Sequence, residues 1–330
     1  MKKGGNQFDV VTIGSATQDV FIISKKLKKV HTSLFEGNYA ECLAIGSKND
    51  IENIDFSTGG GATNTAATFA KLGFQIACLA EIGNDFSGRE VKKALRDLGV
   101  KDFTHIHSDQ KTAYSVILAT PGHDRSILTF RGASDYISVS HFPLSKIQTK
   151  WFYASSLHGN LAGFDTILTR AEAIGAKVAW NPGAKELEAG LSKLKPMLKK
   201  VHLLSLNREE AKVLTGAHSD DIHAQIKPLR GLAEYSCITD GANGAWLFNS
   251  EYIWYSKAHK VHVLNTTGAG DAFSSGLVAG LIKYDNPVQA LQLAMINAHG
   301  VIQYIGAKVG IVSGWPSEHE LDKIRVVEWN

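Results

Sequence analysis

Residues 265–273, Asn-Thr-Thr-Gly-Ala-Gly-Asp-Ala-Phe, carry the clearest chemical signal in the chain, because small residues run directly into an amphipathic helix. The backbone amides around Gly268, Ala269 and Gly270 have little side-chain cover, and a helix N-terminus adds partial positive charge, so this loop could hold a phosphate anion. Asp271 is then either the cap of the helix or a general base beside the anion hole. Capping alone does not require the glycines.

A second glycine-rich segment is residues 57–67, Ser-Thr-Gly-Gly-Gly-Ala-Thr-Asn-Thr-Ala-Ala, which also leads into a helix of small residues. The bare backbone at Gly60 and Gly61 lets a polar ligand approach within hydrogen-bonding distance. Asn64 offers both a donor and an acceptor, as the recognition of hydroxyl groups requires. A tight turn into a closely packed helix is the alternative explanation for the same glycines.

Neither segment matches the two common nucleotide-binding fingerprints. A Walker loop ends in glycine, lysine and serine or threonine, whereas residues 83–90 have the glycine spacing but end in Arg-Glu. The Gly-x-Gly-x-x-Gly pattern of dinucleotide-binding folds is also missing after any predicted strand. A nicotinamide-dependent oxidoreductase is therefore a poor fit to this chain.

The composition favours a small-molecule partner. The 330 residues include 35 Lys and Arg against 32 Asp and Glu, a formal net charge of +3, which gives no electrostatic footprint for nucleic acid or an anionic membrane. Residues 8–14 are too short and too polar for a signal peptide, so we predict a cytoplasmic protein. Cys42, Cys78 and Cys237 are far apart in apolar surroundings, and we expect core residues rather than a disulfide or a zinc site.

Strand-like runs that do not alternate with helices predict a small additional sheet. Residues 19–24 and 39–45 are separated by a lysine-rich stretch, and residues 113–120 and 126–130 flank the turn-forming residues Pro121–Asp124. The second pair is typical of a β-hairpin. We group these runs as a sheet apart from the main α/β pattern.

The rest of the chain alternates strands with helices, which is typical of a parallel sheet covered on both faces. The predicted strands are residues 8–14, 75–80, 151–155, 177–180, 201–206 and 236–239. The predicted helices include residues 62–72, 87–98, 271–282 and one that opens at Pro287. No internal repeat or linker divides the chain, so we predict one domain over residues 1–330.

The two glycine segments, in this order and about 200 residues apart, resemble the signature motifs of the pfkB (ribokinase-like) family of carbohydrate and nucleoside kinases. Shorter motifs agree with this resemblance along nearly the whole chain. They are Gly14 with Asp19, Gly83-x-Asp85-x-x-Gly88, Arg131-Gly132-Ala133-Ser134, Asn181-Pro182-Gly183, Asn207-x-x-Glu210, Thr239-Asp240-Gly241 and Gly306-Ala307.

The resemblance implies an ATP-dependent phosphotransferase. Asp271 matches the family's catalytic base, and the amides of Gly268, Ala269 and Gly270 match its anion hole. Asn207 and Glu210 match the Asn-x-x-Glu segment that arranges magnesium and the phosphates, with Glu210 acting through water. Without the family, the same pair is equally explained as a helix cap and an acid in the first turn.

The resemblance also implies residues on either side of the transferred phosphate. The sugar side comprises Asp19, Gly60, Gly61 and Asn64, and Arg131 could close over anionic substrate groups. Thr239 and Gly241 match the stretch that lines the nucleotide, and Asn297 falls near the adenine pocket. From the residues alone, Asp19 would be a solvated loop acid, and an arginine such as Arg131 at a strand end is more often solvated.

Two further positions bear on metal ions. The family usually has Asp where this chain has Asn265, and that acid supports a loop for a monovalent cation together with carbonyls near Gly306 and Ala307. Asn265 lacks the negative charge, so a potassium requirement is left open. His105 and His107 could share one face of a strand, but no carboxylate or cysteine stands nearby in the sequence, and we assign no metal to them.

The sequence therefore predicts a ribokinase-like, three-layer α/β/α doubly wound sheet with a small β-sheet lid formed by about residues 18–45 and 112–131. The predicted enzyme uses ATP and Mg²⁺ to phosphorylate a hydroxymethyl group of a small sugar, and two lids could pair into a homodimer. A nucleoside kinase is the nearest alternative, and a non-catalytic sugar or nucleotide sensor is the alternative of another class.

Overall fold

The computed structural model describes residues 6–35, 38–119, 125–217 and 219–329. The strands are β1 (Asn6–Ile13), β2 (Thr17–Ile23), β3 (Lys28–His31), β4 (Tyr39–Cys42), β5 (Asn53–Gly59), β6 (Ile76–Leu79), β7 (Glu81–Gly83), β8 (Lys101–Asp102), β9 (His105–His107), β10 (Ala113–Ala119), β11 (Arg125–Phe130), β12 (Ile147–Ala154), β13 (Lys177–Trp180), β14 (Leu203–Asn207), β15 (Tyr235–Thr239), β16 (Ala245–Phe248), β17 (Ile253–Ser256) and β18 (Val327–Glu328). The helices are α1 (Gly61–Lys71), α2 (Phe86–Asp97), α3 (Leu161–Ile174), α4 (Ala184–Leu187), α5 (Leu191–Leu198), α6 (Arg208–Thr215), α7 (Ile222–Leu229), α8 (Ala269–Tyr284), α9 (Pro287–Val301) and α10 (Glu318–Asp322).

The central sheet has the order β18-β17-β16-β15-β14-β13-β12-β1-β6-β8 within the described residues. The pairs from β15 to β8 are parallel, as the alternating pattern predicts. The pairs β15·β16, β16·β17 and β17·β18 are antiparallel and extend the sheet beyond the predicted strands. The sequence analysis missed these last strands because they alternate with turns instead of helices.

Helices cover both faces of this sheet. Neighbouring residues of β1 point to opposite sides, since Val11 packs in one core cluster and Val10 in the other. The cluster around Val11 includes residues of α3 to α7, and the cluster around Val10 includes residues of α1, α2, α8, α9 and α10. The predicted three-layer α/β/α architecture is therefore confirmed.

A smaller sheet stands beside the central one, with the order β11-β10-β2-β5. Strand β5 lies outside the two predicted lid ranges, and β3 pairs with β4 in a separate hairpin instead of joining this sheet. The predicted turn Pro121–Asp124 lies outside the described residues, while β10 and β11 on either side of it pair antiparallel. Cys42 is exposed at the end of the hairpin, so its prediction as a core residue was wrong; Cys78 and Cys237 are buried.

The topology brings several chain segments to one edge of the central sheet. Strands β14 and β15 are parallel neighbours whose last residues, Asn207 and Thr239, lie side by side. Helices α1 and α8 contact each other, and both begin after a glycine. The crevice at the carboxyl ends of parallel strands is the usual ligand site of such a fold. Among the described helices, none has the combination of length and apolar character that crossing a bilayer needs.

Candidate active site

Glycines let the starts of α1 and α8 pack closely against neighbouring backbone. Gly60 precedes α1 with φ 94°, and Gly268 precedes α8 with φ 82°, both in the region that favours glycine. A Cβ atom on Gly60 would lie 2.5 Å from the Ser15 carbonyl oxygen, and one on Gly268 would lie 2.4 Å from the Ala307 Cβ. The tight-turn explanation of these glycines therefore holds, and the same turns aim both helix N-termini at one place.

Asn64 and Asp271 meet where the two helices begin. The Asn64 Nδ2 group donates a hydrogen bond of 2.8 Å to Asp271 Oδ2, joining residues 207 positions apart in the chain. A Cβ atom on Gly61 would lie 3.6 Å from Asp271 Oδ1, so the missing side chain leaves room beside that oxygen. One carboxylate oxygen is thus held by an amide, and the other faces a stretch of bare backbone.

Burial raises the pKa of Asp271 above the ordinary carboxyl value of 3.8. The hydrogen bond from Asn64 and the charge of Lys308 lower the pKa of Asp271, and the charge of Asp19 raises it. A carboxylate with a raised pKa is a better proton acceptor for an alcohol than an ordinary one. Asp271 therefore has the character of a general base, although it also lies in the first turn of α8.

Asp19 lies in β2 and is only 4% exposed, and its charge is close enough to raise the pKa of Asp271. Its Oδ1 accepts a hydrogen bond of 2.9 Å from the Thr17 hydroxyl. A Cβ atom on Gly59 would lie 1.9 Å from Asp19 Oδ2, so this glycine makes space for the carboxylate. Burial raises the pKa of Asp19, as it does for Asp271. The solvated-loop explanation of Asp19 does not hold here.

Lys308 is a charged member of the site that the sequence analysis missed. Its Nζ group donates hydrogen bonds to the carbonyl oxygen of Thr58 and, at 2.9 Å, to the Thr58 hydroxyl. Burial lowers the pKa of Lys308 to about 8, although the charges of Asp19 and Asp271 oppose this shift. The available signal was its position directly after Gly306-Ala307, whose backbone the analysis already placed near the phosphate loop.

The loop before α8 has the conformation of a compact turn. The Ala269 amide donates to the Thr266 carbonyl oxygen at 3.2 Å, so this amide is engaged within the loop. The Thr267 amide donates to Asn265 Oδ1 at 3.0 Å, which gives Asn265 a structural role in the turn. A Cβ atom on Gly270 would meet nothing within 4 Å, so the surface at this glycine is open to a ligand.

The residues predicted on the nucleotide side gather at the ends of β14 and β15. Asn207 and Glu210 form a capping box on α6: Asn207 Oδ1 accepts from the Glu210 amide and Glu210 Oε2 accepts from the Asn207 amide, both at 2.8 Å. Burial raises the pKa of Glu210, and the charge of Asp271 adds to this shift. Gly241 follows with φ 48°, one residue after Asp240, whose carboxylate binds Arg208.

Two predicted residues have other surroundings. Asn297 is fully buried, where its Nδ2 donates to the Ala272 carbonyl oxygen at 2.7 Å and its Oδ1 accepts from the Val312 amide at 3.0 Å. These bonds satisfy the side-chain amide of Asn297 between α8 and α9. Asn297 therefore has a structural role here and does not line a pocket. Arg131 is exposed, and its guanidinium lies 3.4 Å from His158 Nδ1.

The fold and the site together define an α/β phosphotransferase, with a base and a glycine-rich helix N-terminus in one crevice. The chain belongs to the pfkB family of carbohydrate kinases: residues 8–312 match the family described as pfkB family carbohydrate kinase. It is therefore an enzyme that transfers a phosphoryl group to a carbohydrate.

Individual members of the family share only a modest part of their sequence with this chain. The chain is 26% identical over 269 residues to ribokinase of Haemophilus influenzae, covering 79% of this chain and 86% of that protein. It is 28% identical over 264 residues to aminoimidazole riboside kinase of Salmonella typhimurium, covering 74% and 81%. The structure of Arabidopsis thaliana ribokinase complexed with ribose and ATP superposes with a TM-score of 0.73 and 20% identity, covering 96% of this chain and 98% of that one.

Proposed function

We propose that this enzyme uses ATP to phosphorylate a hydroxymethyl group of a small sugar, with Asp271 as the catalytic base. The observation that carries the proposal is the Asn64–Asp271 hydrogen bond of 2.8 Å at the meeting point of α1 and α8. It fixes a desolvated carboxylate beside bare backbone, at a helix N-terminus suited to an anion. A sensor without catalysis would have no use for a base in this position.

In this mechanism the sugar lies between the small sheet and α1. Asp19 and Asn64 bind sugar hydroxyls, and the glycines at positions 60 and 61 admit the ring close to the backbone. Asp271 accepts the proton of the attacking sugar hydroxyl while the oxygen of that hydroxyl forms a bond to the γ-phosphorus of ATP. The bond from that phosphorus to the bridging oxygen breaks, and ADP leaves with the electron pair.

The start of α8 stabilises the charge of the migrating phosphoryl group. The amides of Gly268 and Gly270 and the helix dipole serve this purpose, and the Ala269 amide joins them if its bond to Thr266 opens on binding. At neutral pH the Lys308 ammonium adds positive charge near both carboxylates, while Asn265 has no negative charge to attract a monovalent cation. We propose that this ammonium reduces the need for potassium, which Asn265 left open.

Asn207 and Glu210 are proposed to hold Mg²⁺ through water, and Thr239 and Gly241 to line the nucleotide. These residues suit a cation because Glu210 is partly buried near the negative charge of Asp271, and both effects raise the pKa of Glu210. A bound cation would offset the repulsion between the two carboxylates. When bound, Mg²⁺ supplies positive charge to the phosphate oxygens. We propose that the small sheet acts as a lid. Arg131, which directly follows β11 of this sheet, would reach the substrate when the lid closes.

The test is a panel of acceptors with Mg-ATP: ribose, fructose, adenosine, inosine and cytidine. We expect a sugar to support ADP formation, and Asp271→Asn to lower kcat by roughly 10²–10⁴-fold while the dissociation constant of the sugar changes little. The matched control is Asp97→Asn, which alters an exposed acid on α2. Unchanged turnover in the Asp271 variant would refute the assigned role.

A nucleoside kinase is the second candidate. The aminoimidazole riboside kinase of Salmonella typhimurium, 28% identical to this chain, favours it because its name states a riboside acceptor. The two candidates differ in which acceptor of the panel has the highest kcat/KM. Turnover with none of the five would count against both.

We also propose a homodimer through the small sheet. Asp19 pairs with Ser57, so the next residue of β5, Phe56, points to the opposite face. That face exposes Ile54, Phe56, Leu128 and Phe130 by 44–65%, an apolar surface that a second copy of the sheet would cover. The cytoplasmic location and the absence of a nucleic-acid partner, argued above from the sequence, stay predictions.

A further inference from the structure

Three histidines and a glutamate from separate segments meet at the base of the small sheet. Glu81 opens β7, and His105 and His107 lie in β9, which pairs with β7 in parallel. His141 ends a short 3₁₀ helix, residues 139–141, on the chain's return from β11 to the central sheet. One ligand atom from each of the four side chains lies within 4.8 Å of the other three.

This cluster changes the interpretation of His105 and His107. The sequence analysis assigned them no metal because no carboxylate or cysteine is close to them in the sequence. The fold supplies the missing carboxylate from Glu81 and a third imidazole from His141. The sequence alone does not show these partners, because parallel pairing of β7 with β9 joins residues more than 20 positions apart.

The contacts inside the cluster leave two buried polar atoms unsatisfied. Glu81 Oε2 and His107 Nε2 are 2.9 Å apart, yet neither atom has a hydrogen-bond partner of acceptable geometry among the described residues. Glu81 Oε1 accepts from the Ser138 amide at 3.1 Å and lies 3.0 Å from His141 Nδ1. Two buried ligand atoms this close, without a well-aligned hydrogen bond between them, are arranged as they would be beside a cation.

A charge argument leads to the same conclusion. The Glu81 side chain is fully buried, and in the described part of the chain its ion-pair partners are His107 and His141, with no lysine or arginine. A buried carboxylate needs a compensating positive charge. A metal ion bound by the cluster would supply that charge.

The donor set is that of zinc. Zn²⁺ takes imidazole nitrogen and carboxylate oxygen at about 2.0–2.2 Å in a tetrahedral arrangement, which places ligand atoms roughly 3.4 Å apart. The four side chains already converge to within 4.8 Å, so small side-chain rotations would complete the geometry. His141 is exposed, which gives an ion an entry path to the buried carboxylate.

We propose that Glu81, His105, His107 and His141 bind one Zn²⁺ ion as a structural site. With four protein ligands no position remains open for a substrate, and none of the four belongs to the proposed active site. The ion would tie β7 and β9 to the segment that returns from the small sheet. Gly83, in the same strand as Glu81, already binds the Thr112 hydroxyl at 2.9 Å, just before β10. The site would therefore fix the base of the small sheet.

The experiment uses the full chain without an affinity tag, treated with a chelator and then dialysed. We expect Zn²⁺ to bind with a stoichiometry of one by titration calorimetry and to raise the Tm. Co²⁺ should give the visible absorption bands of a tetrahedral site, and Zn²⁺ should displace them. His141→Ala, at an exposed position, should weaken Zn²⁺ binding at least tenfold while the far-UV circular dichroism stays unchanged.

The control is His319→Ala, which removes an exposed histidine of α10 outside the cluster and should leave Zn²⁺ binding intact. Two results would overturn the proposal. One is a wild-type chain that binds no Zn²⁺ and shows no rise in Tm. The other is stoichiometric binding that His141→Ala does not weaken, which would place the ion elsewhere.

Discussion

At the scale of single residues, the site is governed by two carboxylates and one ammonium in a partly desolvated crevice. Asp19 and Asp271 both have raised pKa values because of burial, and Lys308 has a lowered one for the same reason. Each charge is costly to bury, and the Lys308 ammonium stabilises both carboxylates, whereas the charge of Asp19 opposes the ionisation of Asp271. Activity and stability should therefore respond to pH and to charge removal in opposite ways.

Asp271→Asn should stabilise the fold although we expect it to lower kcat strongly. The pKa of Asp271 is raised above 3.8, so its ionised form destabilises the folded state, and this cost grows as pH rises from about 4 through the raised pKa. The amide variant lacks this cost and can still accept the Asn64 hydrogen bond. We expect its Tm at pH 7.5 to exceed that of the wild type by about 2 °C or more.

The same comparison at pH 4.5 should give a smaller difference, because the cost of ionising Asp271 in the folded state begins near the unfolded pKa of 3.8 and grows as pH rises through the raised folded pKa. Thermal unfolding at the two pH values measures the effect. Asp97→Asn, on the exposed surface of α2, should change Tm little at either pH. A lower Tm for Asp271→Asn at pH 7.5 would contradict the claim that burial of this carboxylate is costly.

Lys308 should set the alkaline limit of activity. Its pKa of about 8 means that the ammonium near Asp19 and Asp271 is lost in the mildly alkaline range. We expect kcat/KM to fall by roughly fivefold between pH 8 and pH 9 as the lysine loses its proton. Lys308→Met should be less active at neutral pH and should lack this decline.

The measurement is the pH profile of kcat/KM for wild type, Lys308→Met and Lys93→Met, a variant of an exposed lysine on α2. Lys93→Met should reproduce the wild-type profile. An alkaline decline that persists unchanged in Lys308→Met would assign it to another group.

The sequence was sufficient to predict the acidic and amide residues of the site, but not the lysine that balances their charge. Asp271, Asn64 and Asp19 stand in motifs of distinctive composition, so their convergence could be expected from the resemblance. Lys308 has no motif of its own, and its position depends on how the loop after Ala307 folds against β5. Glu81 and His141 could not be connected with His105 from sequence, because the pairing of β7 with β9 brings Glu81 beside His105, and His141 reaches them from the separate 3₁₀ helix at residues 139–141.

At the scale of elements, the first turn of α6 has two roles that one substitution can separate. Glu210 completes the capping box through Asn207, and it is also our proposed outer ligand for Mg²⁺. Glutamine keeps a side-chain oxygen for the cap but carries no charge. We expect Glu210→Gln to leave Tm unchanged or slightly higher, and to raise the Mg²⁺ concentration for half-maximal activity about tenfold.

Activity against Mg²⁺ concentration and thermal unfolding together test this separation. Glu209→Gln is the matched control, because Glu209 is the neighbouring, exposed acid that pairs with Lys212 at 3.1 Å. It should leave the Mg²⁺ dependence as in the wild type. If Glu210→Gln loses stability while its Mg²⁺ dependence is unchanged, the residue is only a cap.

The elements also show which local patterns are reliable. Helices α1, α2, α8 and α9 begin and end within about two residues of their predicted bounds where these were given, because glycine, proline and apolar periodicity mark them in the sequence. Strand β5 escaped prediction since it runs directly into the Gly59–Gly61 turn and has few β-branched residues. Its pairing with β2 is a property of the tertiary fold.

At the scale of the whole molecule, the apolar outer face of the small sheet should determine the oligomeric state. Phe56 is 65% exposed and Leu128 is 62% exposed on this face. We expect the wild type to sediment as a dimer, and the double variant Phe56→Glu, Leu128→Glu to sediment as a monomer with an unchanged circular dichroism spectrum. The charges would have to be buried if the two sheets stayed paired.

Sedimentation velocity over a range of protein concentrations gives the result. Val213→Glu, which changes an equally exposed apolar residue on α6, should leave the dimer intact. A wild-type chain that is monomeric at all concentrations would remove the proposed interface.

The lengths of the outermost strands have a consequence for how copies of this chain can associate. In the described residues the central sheet terminates on both sides in a strand of two residues, β8 and β18, too short to template a backbone ladder with another molecule. The small sheet instead terminates in β11 and β5, of six and seven residues. Intermolecular strand addition during folding, and aggregation that starts from it, should therefore begin at the small sheet and not at the central sheet.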